Sequence, residues 1–363
     1  MLNVISKVHK SYNSKLVDKG TFAVPATPSA TAARYATFKL GVMLAFNLNE
    51  FAGYMPDNGG YQGSKDLPSR DVMNTKSVNC RAMAAYAKSI GAQYALITAG
   101  NETGFDLFSC KTNYNMQRIP LPTRTNGTQF YSPTQPFPYC PRAGVGDTNV
   151  LENFCREMRN VGIEPGIYFN ATLNINLTDI HIGYTQQLQA TRQEQVVDYD
   201  CRRIQEILRR FKIKIMWCDL VGPQVNNLFG RIYNAIKSID PDCVMVGNGA
   251  GAYLGGDVQS TEEYVIYGGS VAYQTRLRNN LQIPQEIVLT PHGANSQWYE
   301  VDDQCPVQPP YVKNLFDPVS KVQTMVGNAR QYGCPLLVNM FVNRDGTLFQ
   351  PDKDFFAQVN FML

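Results

Sequence analysis

The chain has 363 residues, of which 44% are hydrophobic and 17% charged, enough to bury one large core or two smaller ones and inconsistent with disorder. Its 33 basic and 30 acidic residues leave a net charge of only +3 with no long block of one sign, which argues against nucleic acid as a partner. No stretch nears the ~20 apolar residues that a bilayer span requires, so no membrane crossing is expected.

Met1 to Gly20 carries Lys7, Lys10, Lys15 and Lys19 but no apolar h-region, so no secretory signal is expected there and the compartment is left open. Residues 1–37 read as a polar, Thr/Ala/Pro-containing N-terminal extension. From 38 to 363 helix-like and strand-like segments alternate. Leu40–Phe46 reads as a short strand, Ser77–Ile90 as a helix with Met83, Tyr86, Ala87 and Ile90 on one side, and Tyr94–Thr98 as a second strand. Lys111–Thr148, rich in Thr, Pro, Asn and Gly, is too long for an ordinary connection and reads as an inserted loop. Asn149–Asn160 is helical and passes through Gly162 into the strand Pro165–Phe169; Gln193–Phe211 is an amphipathic helix feeding the strand Ile213–Cys218. Leu228–Ile239 and Pro241–Gly247 repeat that helix-strand order. Glu286–Leu289 is another strand, a second insertion runs from about Gly293 to Tyr311, and the helix Ser320–Gln331 precedes the strand Pro335–Val342. Strands alternating with helices predict βαβ units and a parallel sheet. About eight such units in one domain predict a TIM (β/α)8-type barrel with long βα-loop insertions.

In such a barrel chemistry sits at the C-terminal ends of the strands. The run Phe-Lys-Ile-Lys-Ile-Met-Trp-Cys-Asp-Leu, from Phe211 to Leu220, ends its alternation at Asp219, just ahead of Gly222 and Pro223. Asp219 is therefore either a catalytic carboxylate or a cap on the segment that follows. Nine cysteines without a CxxC pair disfavour zinc, and no cofactor or metal is expected. Most read as small buried hydrophobes; a disulfide among Cys110, Cys140 and Cys305 stays open for an exported protein. Sequons at Asn101, Asn126, Asn170 and Asn176 carry weight only in a secreted protein. Gly247-Asn248-Gly249-Ala250-Gly251 lacks the position and the acidic partner of a dinucleotide loop. With only His9, His181 and His292 and no Gly-x-Ser-x-Gly elbow, a Ser-His-Asp triad is not supported.

Several blocks, in order, resemble the retaining α-L-fucosidases of glycoside hydrolase family 29. Lys39 to Leu44 is similar to the family's first barrel strand. Gly91 to Ala99, followed by Gly104 to Ser109, is similar to the second strand and its sequel, and Gly162 to Phe169 to the third. Ile215 to Asp219 is similar to the fourth, whose terminal Asp is the family nucleophile. Thr261-Glu262-Glu263-Tyr264 looks like the segment that supplies the acid/base in some members, and Gly333 to Asn339 with Asn343 to Thr347 resembles the closing block.

The resemblance implies a barrel without the family's C-terminal β-sandwich and a carbohydrate or glycoconjugate as substrate. It also implies Asp219 as nucleophile and Glu263 as acid/base; Glu263 is preferred to Glu262 because the Thr-x-Glu-Tyr context falls on it, 44 positions after Asp219. A retaining pair needs carboxyl groups roughly 5–5.5 Å apart, one ionised and one protonated. Trp217, Tyr264 and Tyr267 either wall the acid or are ordinary core or loop aromatics. The chain departs from the family where His-Trp-Gly is replaced by Ala45, Phe46 and Asn47, where a His-His pair is replaced by Asn101 and Glu102, and where an Arg is replaced near Gly249. Asn47 with Glu50, and Asn101 with Glu102, are thus either contacts to a different sugar or solvated polar residues. His292, at a strand end, is a candidate contact or a structural His. Trp298, on a polar loop, stacks on a sugar face or anchors its loop. The alternative to a hydrolase is an inactive fucosidase-like barrel that binds glycan or serves a structural role.

Overall fold

The computed structural model describes residues 29–46, 69–72, 75–100, 104–112, 140–141, 149–170, 190–219, 226–248, 256–262, 284–289, 291, 318–343 and 346–361. Eight parallel strands close into a barrel in strict chain order: β1 (Leu40–Ala45), β2 (Tyr94–Gly100), β3 (Glu164–Asn170), β4 (Ile215–Asp219), β5 (Val244–Asn248), β6 (Val258–Glu262), β7 (Gln285–Leu289) and β8 (Leu336–Phe341). The seam is the pairing of β1 with β8, in register from Leu40↔Leu336 to Ala45↔Phe341. The predicted (β/α)8 barrel is thus the architecture found.

The strands read as apolar runs because both faces are covered. One face, with Val42, Leu44, Ala95, Ile97, Met216 and Met245, packs outward beneath the helices. The other, with Met43, Tyr94, Leu96, Tyr168, Trp217, Val246, Val288 and Leu337, fills the barrel interior. The described helices between strands are α2 (Cys80–Ser89), α3 (Val150–Asn160), α4 (Ala190–Phe211), α5 (Asn226–Lys237) and α6 (Val319–Tyr332). In α2 the Asn79 side chain accepts from the Ala82 amide at 3.0 Å, satisfying an orphan donor of the first turn. Cys80, Met83, Ala84 and Ala87, at helical spacing, form its buried face. Helix α6 ends at Gly333, whose φ of 60° is the left-handed C-terminal stop that glycine supplies without strain.

Three elements depart from the sequence reading. The strand β6 is not anticipated by the hydrophobic pattern, because Val258-Gln259-Ser260-Thr261-Glu262 contains a single large apolar residue. The helix α1 (Ala30–Tyr35) falls within the stretch read as an extension, and its Ala32 and Tyr35 join the cluster that fills the barrel interior. A last helix, α7 (Gln350–Phe356), follows β8, and its buried Asp352 accepts from the Phe341 amide at 2.6 Å. The inserted stretch 111–148 is described only at 111–112, 140–141 and in its final residues' sequel from 149, and 293–311 lies outside the described residues. The eight described cysteines are buried and no disulfide joins two of them, while Cys305 lies outside the described residues. Asn170, the first residue of a sequon, is 1% exposed.

Candidate active site

The C-terminal ends of the strands present a polar layer above the apolar barrel interior. Asn170 ends β3, Asp219 ends β4 and Asn248 ends β5, with Asn170 and Asp219 directly paired in register. Asn339 belongs to β8 and Thr98 to β2. All five are buried, Asp219 at 7% exposure being the most accessible. A layer of amides, a hydroxyl and one carboxylate at this level suits the several hydroxyls of a neutral sugar.

Two described side chains donate to Asp219. The Tyr168 hydroxyl donates to Oδ2 at 2.5 Å and Asn248 Nδ2 donates to Oδ1 at 2.8 Å. Donors aimed at both oxygens restrict rotation of the carboxylate. Neither Tyr168 nor Asn248 stands out in the sequence as a site residue. The signal that marks Asp219, a polar residue closing an apolar strand, also marks Asn248 and Asn170.

Trp217 lies one layer below, 1% exposed, with its ring stacked on Tyr168 at 5.4 Å between centroids and 24° between planes. Its Nε1 donates to Glu286 Oε1 at 2.7 Å. The structure thus commits Trp217 to the barrel interior beneath Asp219, where it supports the layer above instead of forming an open wall. Glu286, on β7, is fully buried and also accepts from the hydroxyls of Tyr94 at 2.7 Å, Ser260 at 2.9 Å and Tyr35. Burial pushes its carboxyl above the ordinary carboxylate range, against the opposing pull of those four donors.

Strand β6 runs to Glu262, which pairs with Val288, one residue short of Glu263. Asn47, Glu50, Asn101, Glu102, Glu263, Tyr264, Tyr267, His292 and Trp298 lie outside the described residues. Among the described residues no group of three or more His, Cys, Asp or Glu side chains is arranged to hold a metal ion.

No protein-family model matches the chain, and no curated protein matches it. Solved structures do. An unliganded α-L-fucosidase, AlfC, from Lactobacillus casei is 14% identical, with 90% of this chain and 96% of that one covered at a TM-score of 0.61. A putative α-L-fucosidase from Bacteroides thetaiotaomicron is 17% identical, with 91% and 66% covered at 0.60. A bacterial fucosidase bound to a phenyltriazole pyrrolidine inhibitor is 16% identical, with 94% and 74% covered at 0.61. In its backbone this chain is a divergent (β/α)8 barrel with the fold of the α-L-fucosidases.

Proposed function

We propose that the protein is a retaining glycoside hydrolase that removes a terminal fucose or a related sugar from a glycoconjugate. The observation that carries this reading is the placement of Asp219 at the mouth of a closed barrel, with Tyr168 and Asn248 donating to its two oxygens. In the first step an Asp219 oxygen attacks the anomeric carbon as the glycosidic bond breaks. The departing oxygen takes the proton of Glu263, leaving a glycosyl ester on Asp219. In the second step Glu263, now a base, takes a proton from water, whose oxygen attacks the same carbon and releases the carboxylate. Asn101, Glu102, Asn47, Tyr264, His292 and Trp298 are the proposed contacts to the sugar and its leaving group.

A second reading, a fucosidase-like barrel that binds glycan without cleaving it, is favoured by one observation. Ala45 and Phe46, which stand where family members carry a sugar-reading His and Trp, are 1% and 0% exposed and offer no side-chain donor to a ligand. The same replacement under the hydrolase reading points to a changed sugar.

Turnover of a panel of aryl glycosides, the α-L-fucoside first, separates the two. Hydrolysis by the intact protein and its loss in Asp219→Asn, with an unchanged unfolding midpoint, are expected, because the exchange removes the nucleophile's charge at nearly constant volume. Binding of a glycan without hydrolysis of any member of the panel overturns the hydrolase assignment, and turnover by Asp219→Asn at the wild-type rate overturns Asp219 as the nucleophile.

A further inference from the structure

Glu286 is a carboxyl group placed inside the barrel, where the neighbouring interior positions are Val244, Val246, Val288 and Leu337. Removing such a group from water is unfavourable, and an apolar side chain of similar volume often serves a core as well or better. What Glu286 does that an apolar residue cannot is accept hydrogen bonds from several elements at once. Its Oε1 accepts from Trp217 on β4 at 2.7 Å and from Ser260 on β6 at 2.9 Å. Its Oε2 accepts from Tyr94 on β2 and from Tyr35 on α1.

The two Oε1 donors hold particular places. Trp217 is two residues before Asp219 on the same strand, and Ser260 is two residues before Glu262, the last residue of β6. Strands β4 and β6 are not neighbours, because β5 lies between them. One oxygen atom therefore ties the strand that ends in the nucleophile to the strand that leads into the acid-bearing segment. The link continues upward: the Trp217 indole carries the Tyr168 ring in a stacked contact, and the Tyr168 hydroxyl reaches Asp219 Oδ2.

We propose that Glu286 is a positioning residue for the candidate active site: through Trp217 and Tyr168 it orients Asp219, and through Ser260 it fixes β6 relative to β4. This rests on the reading of Asp219 as the nucleophile. Glu286 is 0% exposed, inside the barrel. It acts from below, by holding the supports of the reacting carboxylate in one arrangement, as preorganised sites require.

Four variants test the proposal. Glu286→Met strips all four donors of their acceptor. Trp217→Phe removes only the indole N–H while keeping a ring against Tyr168, and Ser260→Ala removes only the β6 link. Glu286→Gln preserves an acceptor for Trp217 and Ser260 and can donate to the two tyrosine oxygens. Trp217→Phe and Ser260→Ala are each expected to lower kcat roughly ten-fold or more with KM within about two-fold, because a small misplacement of the reacting groups acts on the transition state. Glu286→Met is expected to lose more, and Glu286→Gln to recover most of the rate. Should Glu286→Met fail to fold, the two single-link variants carry the test.

Crystal structures of Trp217→Phe and Ser260→Ala supply a readout that needs no turnover, and so separate this proposal from the assignment of activity. The expected result is a Tyr168 hydroxyl no longer within hydrogen-bond distance of Asp219 Oδ2 in the first, and β6 displaced against β4 in the second. An undisturbed Tyr168–Asp219 bond and strand spacing in both, or kcat within about two-fold of wild type in both, overturns the proposal.

Discussion

The Tyr168 hydroxyl sits 2.5 Å from Asp219 Oδ2, reaching diagonally across the β3–β4 pair from the level of Trp217 to the level of Asn170. Tyr168 is 4% exposed, so this hydroxyl serves the carboxylate from inside the barrel, out of competition with bulk water. Loss of the hydroxyl leaves the ring stacking intact and frees the carboxylate to rotate. Tyr168→Phe is expected to lower kcat roughly ten- to hundred-fold with a smaller change in KM. The cost to stability should be about 1–3 kcal/mol, the usual range for stranding a buried hydrogen-bond partner. Steady-state kinetics on the best aryl glycoside and urea denaturation check the two halves separately.

The barrel was legible in the sequence wherever a strand is buried on both faces, since Leu40 to Ala45, Tyr94 to Gly100 and Leu336 to Phe341 carry their apolar runs openly. Strand β6 was not, because its inward Ser260 is polar and finds its partner in Glu286 on β7, a tertiary contact that the local pattern does not encode, so the segment masquerades as loop. Asp219 was legible as an acid closing a strand. Glu286 read only as the first residue of a strand. Its partners at positions 35, 94, 217 and 260 are brought together by barrel closure alone, and no local pattern encodes that meeting. Tyr35 shows the same limit: in a short stretch of Ala, Thr and Arg it has no periodicity to announce that it closes the barrel floor.

Gly41 in β1 is required by the ring of Tyr94, which lies across the barrel interior where a Gly41 side chain would stand; a Cβ there would overlap the ring. The ring cannot retreat, because Phe38 stacks on it at 5.4 Å, Tyr35 packs at 5.3 Å and its hydroxyl is committed to Glu286. Gly41→Ala is expected to destabilise the protein by about 1–3 kcal/mol or more, as overpacking of a closed core does. Thermal or urea unfolding reads this directly. A variant as stable as wild type would mean that the Tyr94 ring has another place to go.

A buried charge cluster outside the barrel sets a pH dependence. Arg203 on α4 donates from Nε to Asp106 at 2.9 Å and from Nη1 to Asp200 at 2.7 Å, so two carboxylates share one guanidinium. Burial raises the Asp200 carboxyl to about 7 despite the attraction of Arg203, and the neighbouring Asp106 adds to the rise. A folded-state value above the unfolded one means that the native state binds the proton more tightly. Stability from this group therefore falls as pH rises from about 4 to about 7 and levels off above that. Asp200→Asn retains an acceptor for Arg203 without the charge. It is expected to raise the urea midpoint more at pH 8 than at pH 5, and an equal effect at both values would remove Asp200 as the titrating group.

Asn170 begins a sequon yet is 1% exposed, closing β3 beside Asp219. At 1% exposure the Asn170 amide lies within the polar layer at the barrel mouth, and a covalently attached glycan would have to displace that layer. Expression in a glycosylating host should therefore yield folded protein with no glycan on Asn170, as read by peptide mass spectrometry. The same placement makes the side chain a candidate donor to a sugar hydroxyl. Asn170→Ala is expected to raise KM for the substrate at least several-fold with the fold retained, since a polar site that loses one partner leaves a ligand hydroxyl unpaired. A glycosylated Asn170 in active protein would contradict both expectations at once.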